Sequence, residues 1–318
     1  MIAQIAQVMK HETAGDPISG LKWTHKTTEK IAKQLAHLNI EVSPKTVARL
    51  LKGEGYSLRL NHKTIESGIK NPPPREIRDQ QFEYISQMRE AFARRGSPII
   101  SVDAKKKEMI GNFKNNGASW EKASYQVIDH DFPSDSDGRA IPYSIYDTLA
   151  NLGFVVVGTS HETPTFVVEA IVLWWRLCGL KMYPKVKELL ILADCGGGNS
   201  ARSRGWKYHL VHQLCVPYKL TVTVCHYPPG ASKWNPADHR LHPEISKNWA
   251  GKPLVNYETV INYIRTTKTD TGLRVRARLI RKHYPKGEKV SDADMAQLPI
   301  IRHETRPNWN YTLKPSKM

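Results

Sequence analysis

The chain of 318 residues is long enough for about two domains and a full-sized core. It carries 47 Lys and Arg against 30 Asp and Glu, a net charge of +17, with a pI near 9.6. A surface this basic favours a polyanionic partner, with nucleic acid ahead of a membrane. The apolar stretches are far shorter than the ~20 residues of a membrane-spanning helix, and no secretory signal pattern opens the sequence, so a cytoplasmic protein is expected. The four cysteines lack the paired spacing of a zinc site or a disulfide framework.

Two short helices joined by a tight turn are predicted near the N-terminus. The first begins at Thr28 and buries Ile31 and Leu35, and the second begins at Ser43-Pro44 and buries Val47. This pattern is typical of a helix-turn-helix whose second helix enters the DNA major groove, and it also suits any helical hairpin. Residues 1–70 are predicted to bind DNA through the outer face of the second helix, which carries Lys45, Thr46, Arg49 and Lys52.

The sequence KNPPP at residues 70–74 is stiff and polar and predicts a domain boundary. Residues 71–97 are predicted to form a linker and an amphipathic helix. From residue 98 onward, strands at 98–103, 154–158, 188–194 and 220–225 alternate with helices, and a last helix runs from Asn235 to Trp249. This order predicts an α/β body over residues 98–250, with helices on the faces of a sheet. Residues 108–113 are expected to turn back beside the first strand, and the segment 115–146 is rich in loop-forming residues and yields no assignment.

Aspartates end two of the predicted strands, Asp103 and Asp194. Ligands of open α/β sheets bind at the carboxyl ends of strands, although either aspartate alone is also typical of a turn. Asp194 is followed by the sequence CGGGN at residues 195–199, and a loop without side chains lets a phosphate, a metal or another backbone approach closely.

A third acid, Asp238, lies in the first turn of the last predicted helix. At about 100° per residue it shares a face with Leu241, Ile245 and Trp249, so it is predicted to point toward the sheet. Glu244 lies roughly 100° away from that face and is predicted to be solvated. A helix-capping role is the alternative for Asp238.

Three carboxylates at one edge of a sheet suit two-metal phosphoryl transfer, in which hard oxygen ligands hold two Mg²⁺ or Mn²⁺ ions about 3.5–4 Å apart. The aspartates at residues 129–137 are a second candidate metal site. Their spacing differs from that of a calcium loop, and the neighbouring Pro, Ser and Gly residues favour a surface loop.

Several ordered motifs resemble one family of enzymes. They are VSPKTVARLL at residues 42–51, SVDAKKKE at 101–108, LADCGGGN at 192–199, VCHYPPG at 224–230 and SKWN at 232–235. With these motifs the chain resembles bacterial insertion-sequence DDE transposases of the Rhodopirellula type, which are related to mariner-like transposases. The resemblance runs from about residue 12 to the C-terminus.

The resemblance implies an RNase H-like catalytic fold with Asp103 on the first strand, Asp194 on the fourth, and the third acid at Asp238. That third acid is normally glutamate in this family and is aspartate in mariner-like relatives. Such relatives usually carry more helical DNA-binding sequence at the N-terminus, so a shorter, truncated DNA-binding region is expected here.

We therefore expect a nucleoid-associated DNA transposase that acts on terminal inverted repeats and target DNA, as a homodimer on DNA. Residues 251–318 are predicted as a basic C-terminal extension, because residues 250–318 carry 14 basic and 6 acidic groups. Further phosphate contacts are predicted at Lys105, Lys106, Lys107, Lys233 and Arg240. The alternatives are a decayed copy that only binds DNA, and a stand-alone RNase H-like nuclease.

Overall fold

The computed structural model describes residues 27–57, 73–231 and 234–315, with residues 2, 4, 5, 13–15 and 22–24 of the N-terminal region. Residues 70–72 of the predicted boundary lie outside this set, as does Lys233. The chain forms two units, Met1–Ile65 and Glu66–Met318. Within the described residues, no helix is both long enough and apolar enough to cross a membrane.

The first unit contains two short antiparallel strands, β1 (Thr13–Gly15) and β2 (Lys22–Thr24), followed by helices α1 (Thr28–Ala36) and α2 (Pro44–Gly53). The two helices lie where the sequence pattern predicts them.

Side-chain caps explain where these helices begin. The Thr27 hydroxyl accepts a hydrogen bond from the Lys30 backbone N–H, and the Ser43 hydroxyl accepts one from the Thr46 N–H. Pro44 occupies the first helical position, where a missing N–H costs nothing. The helices pack through wholly buried Ile31, Leu35 and Val47.

The second unit is built on a mixed sheet that contains nine strands within the described residues. Their bounds are β3 Ile99–Ala104, β4 Glu108–Ile110, β5 Gly138–Asp147, β6 Leu152–Gly158, β7 Glu188–Ala193, β8 Thr221–His226, β9 Arg274–Ile280, β10 Ile300–Arg302 and β11 Asn310–Leu313. The strand order is β10-β11-β8-β7-β3-β5-β6-β9, with β4 paired to β5.

Strands β3, β5 and β6 form an antiparallel run, and β7 and β8 lie parallel to β3 on its other side. This is the strand order of an RNase H-like fold, as expected. The carboxyl ends of β3, β6 and β7 consequently meet at one edge of the sheet.

All of strand β5 except its last residue, Asp147, lies within the segment for which the sequence pattern yields no assignment. It is central and almost wholly buried, but Pro142 stands in its middle, and proline is atypical of interior strands. Strand β4 does not lie beside β3 as its sequence position favours and instead pairs with β5.

Helices cover both faces of the sheet. They are α3 (Arg75–Arg94), α4 (Pro164–Trp174), α5 (Arg204–His209), α6 (His242–Asn248), α7 (Tyr257–Thr266) and α8 (Asp292–Ala296), with further helical turns at Trp175–Gly179, Leu180–Met182, Leu210–Cys215 and Val216–Tyr218. In β7, Leu189 and Ile191 share a core with α4 and α5, whereas Leu190 and Leu192 share one with α3. The strand is buried on both sides, which explains its continuous apolar sequence.

Residues 251–318, predicted as a basic extension, instead supply both edges of the sheet. Strand β9 pairs in parallel with β6, and β11 pairs antiparallel with β8. The exposed arginines of β9 alternate with buried Val275 and Ala277, as in a strand with one buried face. The high charge of this segment is the reason that the sequence did not predict a strand here.

Candidate active site

The three predicted aspartates converge at the edge where β3 and β7 end. Asp103 lies in β3 opposite Ser144 of β5 and is only 8% exposed, and Asp194 directly follows β7. Burial, followed by the charges of Asp194 and then Asp238, raises the pKa of Asp103 to about 8. The strand register places Asp194 beside Asp103, because Val102 pairs with Ala193 in the parallel β3–β7 pair. Asp238 lies near Asp103 across His242, whose Nδ1 is 3.9 Å or less from an oxygen of each carboxylate.

Asn235 fixes the start of the helical segment that carries Asp238. Its side-chain oxygen accepts a hydrogen bond from the Ser101 hydroxyl, and its amide nitrogen donates to the Val102 carbonyl over 2.9 Å. The Ala237 N–H donates in turn to the Ser101 hydroxyl over 3.1 Å. These bonds tie the helix start to the two residues that precede Asp103 in β3.

Asp238 lies in a π-helical turn, Ala237–Leu241, that runs into α6. A π-turn has more residues per turn than the α-helix assumed from sequence, and such turns are frequent at functional sites. The predicted inward face is nevertheless observed, because Leu241 and Ile245 are wholly buried.

His242 completes the cluster and was missed by sequence analysis. Its Nδ1 lies 3.3 Å from Asp238 Oδ1 and 3.9 Å from Asp103 Oδ2, while its Nε2 lies 3.0 Å from Ser144 Oγ. One potential ligand atom from each of Asp103, Asp238 and His242 falls within 4.8 Å of the others. Burial lowers the pKa of His242. The signal that could have found it is the spacing of Asp238 and His242, four residues apart on one helical segment.

Asp194 is oriented by the glycine-rich loop that follows it. Asn199 donates to Asp194 Oδ1 over 2.8 Å, and the Gly198 N–H donates to Glu162 Oε1 over 3.3 Å. A Cβ on Gly197, whose φ is +61°, would collide with the Glu162 carboxylate. The positive φ favours glycine at residue 197, and a Cβ on Gly198 would lie 3.0 Å from the Thr163 carbonyl oxygen, so the loop needs glycines for its own geometry in addition to any approach by a ligand.

Glu162 is a fourth acid near the site that sequence analysis did not consider. It follows β6, whose carboxyl end lies at the same edge as those of β3 and β7. Its charge contributes to the raised pKa values of Asp103 and Asp194, for which burial is the largest cause.

The competing acids lie elsewhere. Glu244 pairs with Lys247 at 2.6 Å on the surface. In the described part of the chain, the only grouping of three metal-ligating side chains is the one at Asp103, so the aspartates of residues 129–137 form none. His226 is buried with Nδ1 2.9 Å from the Asp194 carbonyl, and burial lowers its pKa to about 4, which indicates a structural role.

The predicted cations divide into buried and exposed ones. Lys105 is only 8% exposed, with Nζ 2.9 Å from Glu108 Oε1 and 4.5 Å from the centroid of a Trp249 ring. Its ammonium group is held by these two partners, so the predicted phosphate contact at Lys105 stays a prediction that requires it to leave them. The side chains that remain on the surface are Lys45, Arg49, Lys52, Lys106, Lys107 and Arg240, whereas Thr46 is half-buried against Ser43.

Comparison with known proteins identifies a family. Several solved structures are similar at 12–13% identity over 83% of this chain. They include "Mos1 transposase paired-end complex with left transposon end" (69% of that chain, TM-score 0.44), "Crystal structure of the Mos1 Strand Transfer Complex" (68%, 0.43) and "Crystal structure of the mariner Mos1 paired end complex with Mg" (69%, 0.44). No match was found among curated protein sequences. Residues 4–315 match the family described as Rhodopirellula transposase DDE domain. Because that match spans nearly the whole chain, the protein belongs to this family of transposase DDE domains.

Proposed function

We propose that this protein is a DNA transposase that cuts and joins DNA strands by two-metal phosphoryl transfer. The observation that carries the proposal is the convergence of Asp103, Asp194 and Asp238 at one sheet edge in a chain of a transposase family. Carboxylate oxygens are the ligands that Mg²⁺ and Mn²⁺ prefer, and bound cations would offset both the burial and the neighbouring negative charges that raise the pKa of Asp103.

Asp103, Asp194 and Asp238 would hold the divalent ions, and Asp103 is the most buried of the three side chains. Bound divalent ions supply an activated oxygen nucleophile and neutralise charge on the leaving oxygen. The chain's own groups set the geometry: the Ala104 N–H donates to Asp103 Oδ1 over 2.9 Å, and Asn199 donates to Asp194 Oδ1. Asn235 holds the helix of Asp238 against β3.

The N-terminal unit would recognise the DNA ends of the insertion sequence, which we call the element. Its exposed cations lie on one face of α2, beside a surface groove lined by Ser43, Lys45, Thr46, Ala48, Arg49 and Lys52. We assign DNA binding to residues 1–70 and chemistry to the sheet, with a homodimer assembled on DNA that carries terminal inverted repeats.

Replacing Arg49 by alanine is expected to weaken binding to the element's ends by about 1–3 kcal/mol, because alanine cannot make the direct hydrogen bonds of arginine to a base edge. The measurement is fluorescence anisotropy at fixed salt with terminal-repeat DNA and with random DNA. Binding to the terminal repeat should fall more than binding to random DNA.

Lys33→Ala is the matched control, since Lys33 is an exposed cation on the preceding helix α1. If Arg49→Ala and Lys33→Ala weaken binding to terminal-repeat DNA and to random DNA equally, α2 makes no sequence-specific contact with DNA.

The arginines of β9 test whether the basic C-terminal segment contacts phosphates. Deleting this segment would remove edge strands of the sheet, so point substitutions are needed. Arg274, Arg276 and Arg278 lie on one exposed face of β9. All three are changed to glutamine, and the association constant for DNA is measured at several salt concentrations. The slope of its logarithm against the logarithm of the salt concentration should flatten by about 0.9 for each DNA phosphate that the variant no longer neutralises.

The control changes the surface cations Lys181, Lys185 and Lys187 to glutamine, which removes the same charge elsewhere. If both triple variants flatten the slope equally, β9 makes no specific contribution beyond net charge.

The function itself is tested by strand transfer with Mg²⁺ or Mn²⁺ on DNA bearing the inverted repeats that flank the gene. A transposase cleaves those ends and joins them to target DNA. Binding without cleavage would indicate a decayed copy, and cleavage of random DNA without joining would indicate a stand-alone nuclease.

A further inference from the structure

We propose that His242 is a ligand of the metal ion held between Asp103 and Asp238, and that its imidazole makes this position prefer Mn²⁺ to Mg²⁺. The inference rests on the proposed function, because it takes Asp103 and Asp238 as metal ligands.

The geometry at His242 fits a metal position. Its Nδ1 lies near both carboxylates, 3.3 Å from Asp238 Oδ1 and 3.9 Å from Asp103 Oδ2. Ligand atoms bound to one ion at about 2.1 Å lie about 3–4 Å apart, so these separations match without rearrangement of the backbone.

Ser144 supplies the outer partner that a metal-binding histidine needs. Its hydroxyl lies 3.0 Å from His242 Nε2, and Ser144 is directly opposite Asp103 across the β3–β5 pair. A metal-ligating histidine usually gives its second ring N–H to such an oxygen, which fixes the ring and leaves the other nitrogen's lone pair for the ion. The same strand pair thus positions both Asp103 and the imidazole.

The imidazole of His242 is held at this position by its place on the same helical segment as Asp238 and by its burial. His242 is 6% exposed and lies four residues after Asp238, across the junction of the π-turn with α6. The helix start is itself tied to β3 by Asn235. The nitrogen therefore enters the site with little freedom to swing away.

The ligand set determines which ion is preferred. Mg²⁺ takes oxygen ligands in a near-ideal octahedron and dehydrates reluctantly, whereas Mn²⁺ belongs to the first-row series that binds mixed nitrogen and oxygen sites, although it is the weakest binder of that series. A site of two carboxylates and one imidazole is thus expected to select Mn²⁺ over Mg²⁺ more strongly than a site of carboxylates alone.

The first experiment examines Mn²⁺ bound to the full-length parent protein without DNA, by electron spin-echo envelope modulation. A directly bound imidazole nitrogen modulates the Mn²⁺ signal, and we expect that modulation in the parent. It should disappear in His242→Asn, while Glu244→Gln, which changes a surface acid on the same helix, should retain it.

The second experiment measures Mn²⁺ and Mg²⁺ affinities by calorimetry. Asparagine can place an amide N–H near the imidazole Nδ1 position, so His242→Asn preserves a hydrogen bond to Asp238 but removes the imidazole. We expect its Mn²⁺ affinity to fall by about tenfold or more while its Mg²⁺ affinity changes less. Ser144→Ala is expected to lower Mn²⁺ affinity in the same direction, and circular dichroism checks the fold of each variant.

The outcomes separate this inference from the proposed function. Mn²⁺ binding that is lost in Asp103→Asn but shows no nitrogen modulation in the parent would overturn the role of His242 and leave the carboxylate site intact. An unchanged preference for Mn²⁺ over Mg²⁺ in folded His242→Asn would do the same. Failure of the parent to bind either ion would overturn both proposals.

Discussion

Asp238→Asn is expected to abolish Mg²⁺-dependent DNA cleavage, with a loss of about 4 kcal/mol or roughly a thousandfold in rate. The amide is similar in size to the carboxylate, so it preserves packing but removes the negative charge that a metal ligand needs. Asp103→Asn and Asp194→Asn should have effects of the same size. The measurement is single-turnover cleavage of labelled terminal-repeat DNA.

Glu244→Gln is the matched control, because Glu244 lies in the same helical segment and pairs with Lys247 on the surface. It should retain activity and lie within about 0.5 kcal/mol of the parent in stability. Abolished cleavage in Glu244→Gln with retained cleavage in Asp238→Asn would reverse the assignment. A gain of activity in Asp238→Glu would indicate that the aspartate weakens the site, as expected of a decayed copy.

Asp103→Asn is also expected to stabilise the metal-free protein at alkaline pH, by an amount on the order of 5 kcal/mol, since one pKa unit corresponds to about 1.4 kcal/mol. Burial and neighbouring acids raise the pKa of Asp103 from its ordinary value of 3.8 to about 8. Between about pH 4 and pH 8 the folded protein therefore keeps a proton that the unfolded chain releases. The contribution of Asp103 to folding is most favourable below pH 4 and is lost as the pH rises toward 8.

Urea denaturation in a chelator at pH 4.5, 6 and 8 measures this effect. The difference in unfolding free energy between Asp103→Asn and the parent should grow with pH, whereas Glu244→Gln should track the parent at every pH. A difference that does not change with pH would contradict the raised pKa of Asp103. Adding Mg²⁺ should stabilise the parent most at high pH, because the metal binds the ionised carboxylate.

Local patterns in the sequence predict much of the fold. The caps at Ser43 and Pro44, the apolar run of β7 and the inward face of Leu241 and Ile245 each depend on neighbours within a few residues. Such patterns can be read from the sequence because the backbone geometry itself sets the side-chain periods of helices and strands. They identify the strand-end aspartates and favour Asp238 over Glu244.

Two other strands could not be predicted from local sequence. Pro142 is atypical of a central strand such as β5, and the arginines of β9 give this edge strand the composition of a solvated tail. Both form strands because a partner supplies the hydrogen bonds and an apolar face, neither of which a local window contains.

Long-range contacts decide the chemistry around the aspartates. His242 reaches Asp103 only because Asn235 ties its helix to β3, and Glu162 reaches the loop after Asp194 only because β6 runs parallel to β7. Lys105 belongs to a run of three lysines that the sequence predicts to be exposed. It is buried because it contacts Glu108 and Trp249. Residue type and spacing predict which acids can bind metal. Apart from Glu108, which is three residues from Lys105, the partners of these side chains are distant in sequence. The bond from Asn235 to β3 spans 133 residues, and only the folded sheet brings the two together.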